Sequence, residues 1–246
     1  MTCRAILWCG FVSRPAGKGR LDRATAVQGA FPDCDFPASV NDLEIAYRAA
    51  KALGARAADI YPHVCDPDLL PPALVARWSP PTKEALARTL KGIRREASSG
   101  DRLLFIATNH GTRDGLLTMV EVDEFEDAPT SPFLTPEDLS RSLDSVQGDH
   151  TVVIASCHAG IFLPLGDHPN RTVLAACGAD VVYRIHREER SCSPFLVELF
   201  ASWCGVSLWD DVPTSNLPLP EALARATARL ASTYQTHAPL HRGALR

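Results

Sequence analysis

The sequence is short of the features that mark most binding classes. Lysine and arginine total 25 against 29 aspartate and glutamate, for a formal net charge of -4. A protein that grips phosphate backbones needs clustered cations in excess, so a nucleic-acid footprint is excluded. No apolar run approaches the ~18 residues of a membrane span. The amino-terminal run 5–9 is also too short for the hydrophobic core of a secretory leader. The expectation is a cytoplasmic chain with no membrane partner. None of the eight cysteines (3, 9, 34, 65, 157, 177, 192 and 204) stands in a CxxC pair, so most read as reduced, buried, small hydrophobes. Four ligands at zinc spacing are not visible around His63 and Cys65 or around Cys157 and His158, so no metal is expected. Neither a Walker phosphate loop nor GxGxxG occurs, and Gly17-Lys18-Gly19 lacks the context of one, so no cofactor is implied. There is no internal repeat.

What is present is an ordinary globular composition, 46% hydrophobic and 22% charged over 246 residues, enough to bury one large core. A single domain spanning 1–246 is expected. Residues 4–12 read as a first strand, followed by a Gly, Arg and Pro-rich surface loop over 13–37. Ser39 and Asp42 fit the start of a helix closed by Gly54. A short strand over 59–64 and a proline-rich connection over 65–81 come next, and Thr82 caps a second helix with one apolar stripe. A strand over 102–107 leads to a hairpin arm over 116–122 with an acidic tip at 121–127, a solvated loop rather than a calcium loop. Thr135-Pro136-Glu137-Asp138 starts a short helix to Leu143, and a strand over 151–155 follows. Residues 172–176 and 180–183 read as strand segments, 185–193 as a charged loop, and 195–203 and 219–231 as helices. Alternating strands and helices give an α/β fold, a mostly parallel sheet with helices on both faces.

Two of these strands carry the chemistry. Their apolar runs, 103–107 and 152–155, suit strands buried on both faces, and open α/β sheets place their sites at the carboxyl ends of such strands. The first ends in Asn109-His110-Gly111 and the second in Ser156-Cys157-His158-Ala159-Gly160. A thiolate nucleophile needs a neighbouring base and the leaving amine needs a proton donor, roles that His110 can fill for Cys157. Only a hairpin and a helix separate the two, about one crossover between neighbouring parallel strands. Gly111 and Gly160 fit a close backbone approach to a substrate oxygen. The plainer reading is a buried cysteine and a turn histidine, and both stay open. His158 would point away from Cys157 on an extended chain and support the loop instead.

Four apolar residues, a small residue, then Cys-His-small-Gly, preceded by a strand ending in His-Gly, resemble the caspase-like (clan CD) cysteine peptidases, with metacaspases and legumains nearest. Val40-Asn41-Asp42 resembles a metacaspase motif at the first helix, and 175–180 resembles the strand and acid that follow the catalytic cysteine. The resemblance implies a caspase-like three-layer sandwich over about residues 4–200 and a His110 and Cys157 dyad. It also implies an oxyanion hole from the Gly111 and Cys157 amides. Where metacaspases and legumains carry an acid two residues before the cysteine, this chain has Ala155, and Asn109 replaces the Asp that precedes the legumain histidine. A preference for basic P1 residues would then rest on Asp42 or Asp180, with Thr108 as a pocket wall; otherwise the pocket is apolar or small.

The implied activity is that of a cysteine endopeptidase with a polypeptide substrate. Proteases of this type are often cut in a loop after the nucleophile, which directs attention to the basic stretch 184–190 and to 163–170. A catalytically inactive caspase-like module that binds a partner is the alternative. A thiol hydrolase of the α/β type fits worse: G-x-nucleophile-x-G requires glycine where Ala155 stands, and His110 precedes Cys157. The sequence sets neither the oligomeric state nor the trigger.

Overall fold

A computed structural model describes residues 1–10, 36–118, 133–183, 191–233 and 239–245. The expected surface loop over 13–37 falls almost entirely outside these residues, and the acidic tip and the basic stretch 184–190 fall wholly outside them. Six strands form one sheet in the order β2-β1-β3-β6-β7-β8, where β1 is Cys3–Cys9, β2 Ala55–Val64, β3 Arg102–Asn109, β6 Asp149–Ser156, β7 Arg171–Ala175 and β8 Leu240–Gly243. All neighbours run parallel except β8, which is antiparallel to β7. A two-stranded ribbon, β4 (Leu116–Leu117) with β5 (Phe133–Leu134), stands outside the sheet. This is the expected α/β class.

Every residue of β1 is buried, as befits a strand covered on both faces. The described helices around the sheet are α1 (Phe36–Ala52), α2 (Lys83–Glu96), α3 (Pro136–Leu143), α4 (Pro194–Trp203) and α5 (Leu219–Thr233). Strand alternation sorts them into layers. Thr108 of β3 reaches Asp42 of α1, whereas Arg171 of β7 reaches Ser140 of α3. Thr108 pairs in register with Ala155 and Arg171 with His150, five positions apart on β6 and therefore on opposite faces. So α1 and α4, with α5 packed on α4, cover one face, and α2 and α3 cover the other, giving a three-layer sandwich.

Local signals place the helix starts. Thr82 Oγ1 accepts from the Ala85 amide at 3.2 Å, Thr135 Oγ1 from Asp138 at 3.2 Å, and Ser193 Oγ from Leu196 at 3.3 Å. In the last two, proline follows in the first turn, where its missing N–H costs nothing. Elsewhere tertiary packing overrides the local reading. Residues 180–183 form no strand, and 159–167 wind into a 3-10 stretch, Ala159–Asp167, against β7 and β8. That order covers most of the expected processing segment 163–170.

Candidate active site

The parallel pairing of β3 and β6 runs from Arg102 opposite Asp149 to Asn109 opposite Ser156. His110 and Cys157 are each the next residue, so the two expected catalytic groups leave neighbouring strands side by side at the carboxyl edge. Both are half-buried. The turn after His110 folds back at once: the Leu117 amide donates to the His110 carbonyl at 3.3 Å, and the Thr112 amide to the Gly115 carbonyl at 2.9 Å. Gly111 faces Leu116 between those two bonds, in the non-hydrogen-bonded position of an antiparallel pair. Its own N–H and C=O therefore point away from the ribbon.

The Gly111 Cα itself makes a tight contact. A Cβ on Gly111 would stand 2.5 Å from the Cys157 carbonyl oxygen and 2.7 Å from Ser156 Oγ, closer than any side chain tolerates. Glycine is what lets the two strand ends meet. Gly160 also needs to be glycine, for a different reason: its Cα presses on the Gly178–Ala179 backbone, where a Cβ would lie 2.4 Å from the Ala179 nitrogen.

The loop that carries Cys157 is held from three sides. His158 takes a left-handed conformation, φ 56°, unusual outside glycine and costing on the order of 1 kcal/mol. Its amide donates to the Val181 carbonyl and its Nδ1 lies against the Ala179 carbonyl, both at 2.8 Å. The imidazole is thus turned to the 178–181 loop and supports it. Cys177 lies underneath, its thiol 3.4 Å from both the Ser156 and Val181 carbonyls. Cys157 Sγ itself donates to the Tyr183 carbonyl at 3.4 Å. Burial raises the Cys157 thiol pKa, opposed by backbone hydrogen bonds, and so favours the neutral thiol.

Behind this edge runs a buried polar relay that sequence reasoning did not find. The Tyr183 hydroxyl meets Ser193 Oγ at 3.0 Å and accepts the Phe195 amide at 2.9 Å. The Ser193 amide donates to Asp42 Oδ1 at 2.6 Å, and the Thr108 hydroxyl donates to Asp42 Oδ2. Asn41, alongside, donates to the Ser191 carbonyl at 2.8 Å. Asp42 is 1% exposed, and burial pushes its pKa up to about 6 against those hydrogen bonds. The Ser193-Pro194 helix-start pair is the signal that could have revealed this anchor.

The expected specificity residues are therefore spread over three settings. Thr108 and Ala155 are register partners and buried, Asp42 lies beneath Thr108 with both oxygens engaged, and Asp180 is exposed, 3.6 Å from Arg113. Among the described residues no group of His, Cys, Asp and Glu could hold a metal ion. The seven described cysteines are free thiols, and no described helix is long and apolar enough to cross a membrane.

No family model matches the chain, and no curated protein matches it. Among solved structures it is similar to the crystal structure of Chaetomium thermophilum Raptor, at 14% sequence identity and a TM-score of 0.47 over 81% of this chain. The chain spans 17% of the length of that one.

Proposed function

We propose that the protein is a caspase-like cysteine endopeptidase that acts in the cytoplasm on polypeptide substrates. The observation that carries this reading is the meeting of His110-Gly111 with Cys157 at the ends of hydrogen-bonded parallel strands. His110 takes the Cys157 proton as sulfur attacks the scissile carbonyl. The developing oxyanion is received by the Gly111 and Cys157 amides, and His110 then protonates the leaving amine before water resolves the acyl-enzyme. The outward-facing Gly111 N–H suits that role. The test is cleavage of a peptide library by wild type, Cys157→Ala and His110→Ala. Either variant should lose about 10³-fold in kcat/KM, and unchanged cleavage rejects the assignment.

Asp42 has both carboxylate oxygens committed within the fold, which leaves Asp180 as the acid for a basic P1 side chain. Asp42 then acts from behind, fixing Thr108 as a wall beside Ala155. Asp180→Ala should raise KM for Arg-containing peptides about fivefold and leave apolar P1 substrates unaffected. An equal change for both sets this assignment aside.

One observation favours the second reading, a silent partner-binding module: the Cys157 thiol is raised in pKa and bonded to the Tyr183 carbonyl, as a structural cysteine would be. Under that reading Cys157 reacts with an acyloxymethyl ketone no faster than Cys65 or Cys204.

A further inference from the structure

We propose that the amino-terminal edge of the sheet carries a second site, a pocket for a small organic carboxylate with a flat apolar body, such as an aryl carboxylate. It does not depend on the peptidase reading. A cavity of about 410 Å3 opens there, lined by the first residues of β3, β6 and β7. That volume lies within the ~300–1,000 Å3 of small-molecule sites. β3 and β6 deliver His110 and Cys157 from their other ends, so a strand of eight residues, roughly 25 Å, separates cavity and dyad.

The lining combines one uncommitted cation with apolar walls. Arg102 is half-buried at the start of β3, and among the described residues its guanidinium has no ion pair and no hydrogen bond. Arg171, the other cation of the lining, is engaged, with Nη1 3.0 Å from Ser140 Oγ and Nη2 2.5 Å from Asp144. Asp149 stands exposed in the same lining and already has an interaction of its own. One guanidinium offers two parallel N–H groups to one carboxylate, whereas a phosphate dianion would call for a second free cation.

The body of the ligand is defined by the opposite wall. Trp203 ends α4 and is stacked on Phe200 at 6.2 Å, which fixes its indole. Pro218 and Leu219 at the start of α5, with Leu245, complete an apolar slot. Thr151 and Thr172, register partners on β6 and β7, also line the cavity, and the Thr172 hydroxyl donates to the Ala244 carbonyl. A separate small void of about 10 Å3 lies among Arg102, Thr151, Trp203, Cys3 and Leu53. Flat rings bind well in such proline and indole walls.

The probe is 1-naphthoate, titrated into the purified chain by calorimetry and by ligand-observed NMR, with the neutral 1-naphthamide as its isostere. The acid should saturate with a dissociation constant of about 1 mM or tighter, an ordinary affinity for a ligand of this size. The amide should bind at least about tenfold more weakly, and Arg102→Met should lose about the same factor for the acid. Cys157→Ala should bind like wild type, so a failed peptidase assay leaves this result intact. Equal binding of acid and amide to wild type overturns the site whether or not Arg102→Met folds. Undiminished binding by Arg102→Met, or no saturation by about 10 mM naphthoate, overturns it as well.

Discussion

The Asp42 carboxylate and the Ser193 amide, 2.6 Å apart, join α1 to the start of α4 at the edge where the two strands present His110 and Cys157. Asp42 is held almost fully out of water, with burial raising its pKa from 3.8 to about 6. A group more easily protonated in the fold than in the unfolded chain stabilises fully below its unfolded pKa. That contribution is then lost as pH rises through the folded value. Urea unfolding of wild type should therefore lose about 2 kcal/mol relative to Asp42→Asn between pH 4 and pH 7, with the difference constant above that. A difference that does not vary with pH would show the carboxyl to be unperturbed.

Gly111 and Gly92 make a matched pair of glycine-to-alanine tests. A Cβ at Gly111 would collide with the Cys157 carbonyl, whereas one at Gly92, in the middle of α2, meets nothing within 4 Å. Gly111→Ala should cost about 1–3 kcal/mol through forced displacement of the two strand ends. Gly92→Ala should gain about 0.5–1 kcal/mol from helix propensity. Thermal melts of the two variants against wild type decide it: opposite signs are expected, and a neutral Gly111→Ala would mean that the strand ends separate freely.

The start of the fold was open to reading because its signals are local. Thr82 and Thr135 announce their helices through the hydroxyl and the spacing behind it, and the 103–107 and 152–155 runs reveal buried parallel strands through unbroken apolarity. The pairing of those strands followed from the length of one crossover. What stayed hidden depends on partners far away in sequence. Nothing local marks Tyr183 as the residue whose carbonyl meets Cys157 while its hydroxyl meets Ser193. The apolar run 181–183 imitated a strand, yet the segment folds back over the nucleophile loop, where Val181 receives the His158 amide. β8 escaped notice because its four exposed residues carry no apolar alternation.

His150 offers a second pH test of opposite sign. It is 3% exposed, and burial, with Arg171 and His168 adding to it, lowers its pKa from 6.5 to about 4. Asp149 and the Val146 backbone oppose that shift. A histidine kept neutral by the fold contributes fully above 6.5 and loses that contribution as pH falls toward 4. His150→Leu should match wild type within about 1 kcal/mol at pH 8 and exceed it by about 3 kcal/mol at pH 4. The readout is the difference in urea midpoint at the two pH values; parallel acid sensitivity in both proteins would clear His150.

The protonation state of Cys157 can be read from its alkylation. With burial raising its pKa, iodoacetamide modification followed by peptide mass analysis should accelerate about tenfold per pH unit from 6 to 9, with no plateau near neutrality. His110 would then act as a base during attack. A plateau below pH 7 would instead indicate a preformed thiolate and imidazolium pair.

The two borders of the sheet are closed by different means. On one side the carboxyl end of β2 is engaged by Ser79, whose amide donates to the Pro62 carbonyl while its carbonyl accepts the Val64 amide, both at 3.1 Å. On the other, β8 is only four residues long and carries His241 and Arg242, the latter paired with Asp167. A strand this brief and charged is a poor template for another chain, and the bridge to Ser79 takes up the last outer groups of β2. Lateral growth of the sheet is discouraged at the β8 border and at the carboxyl end of β2, the same end at which the parallel core presents its reactive groups.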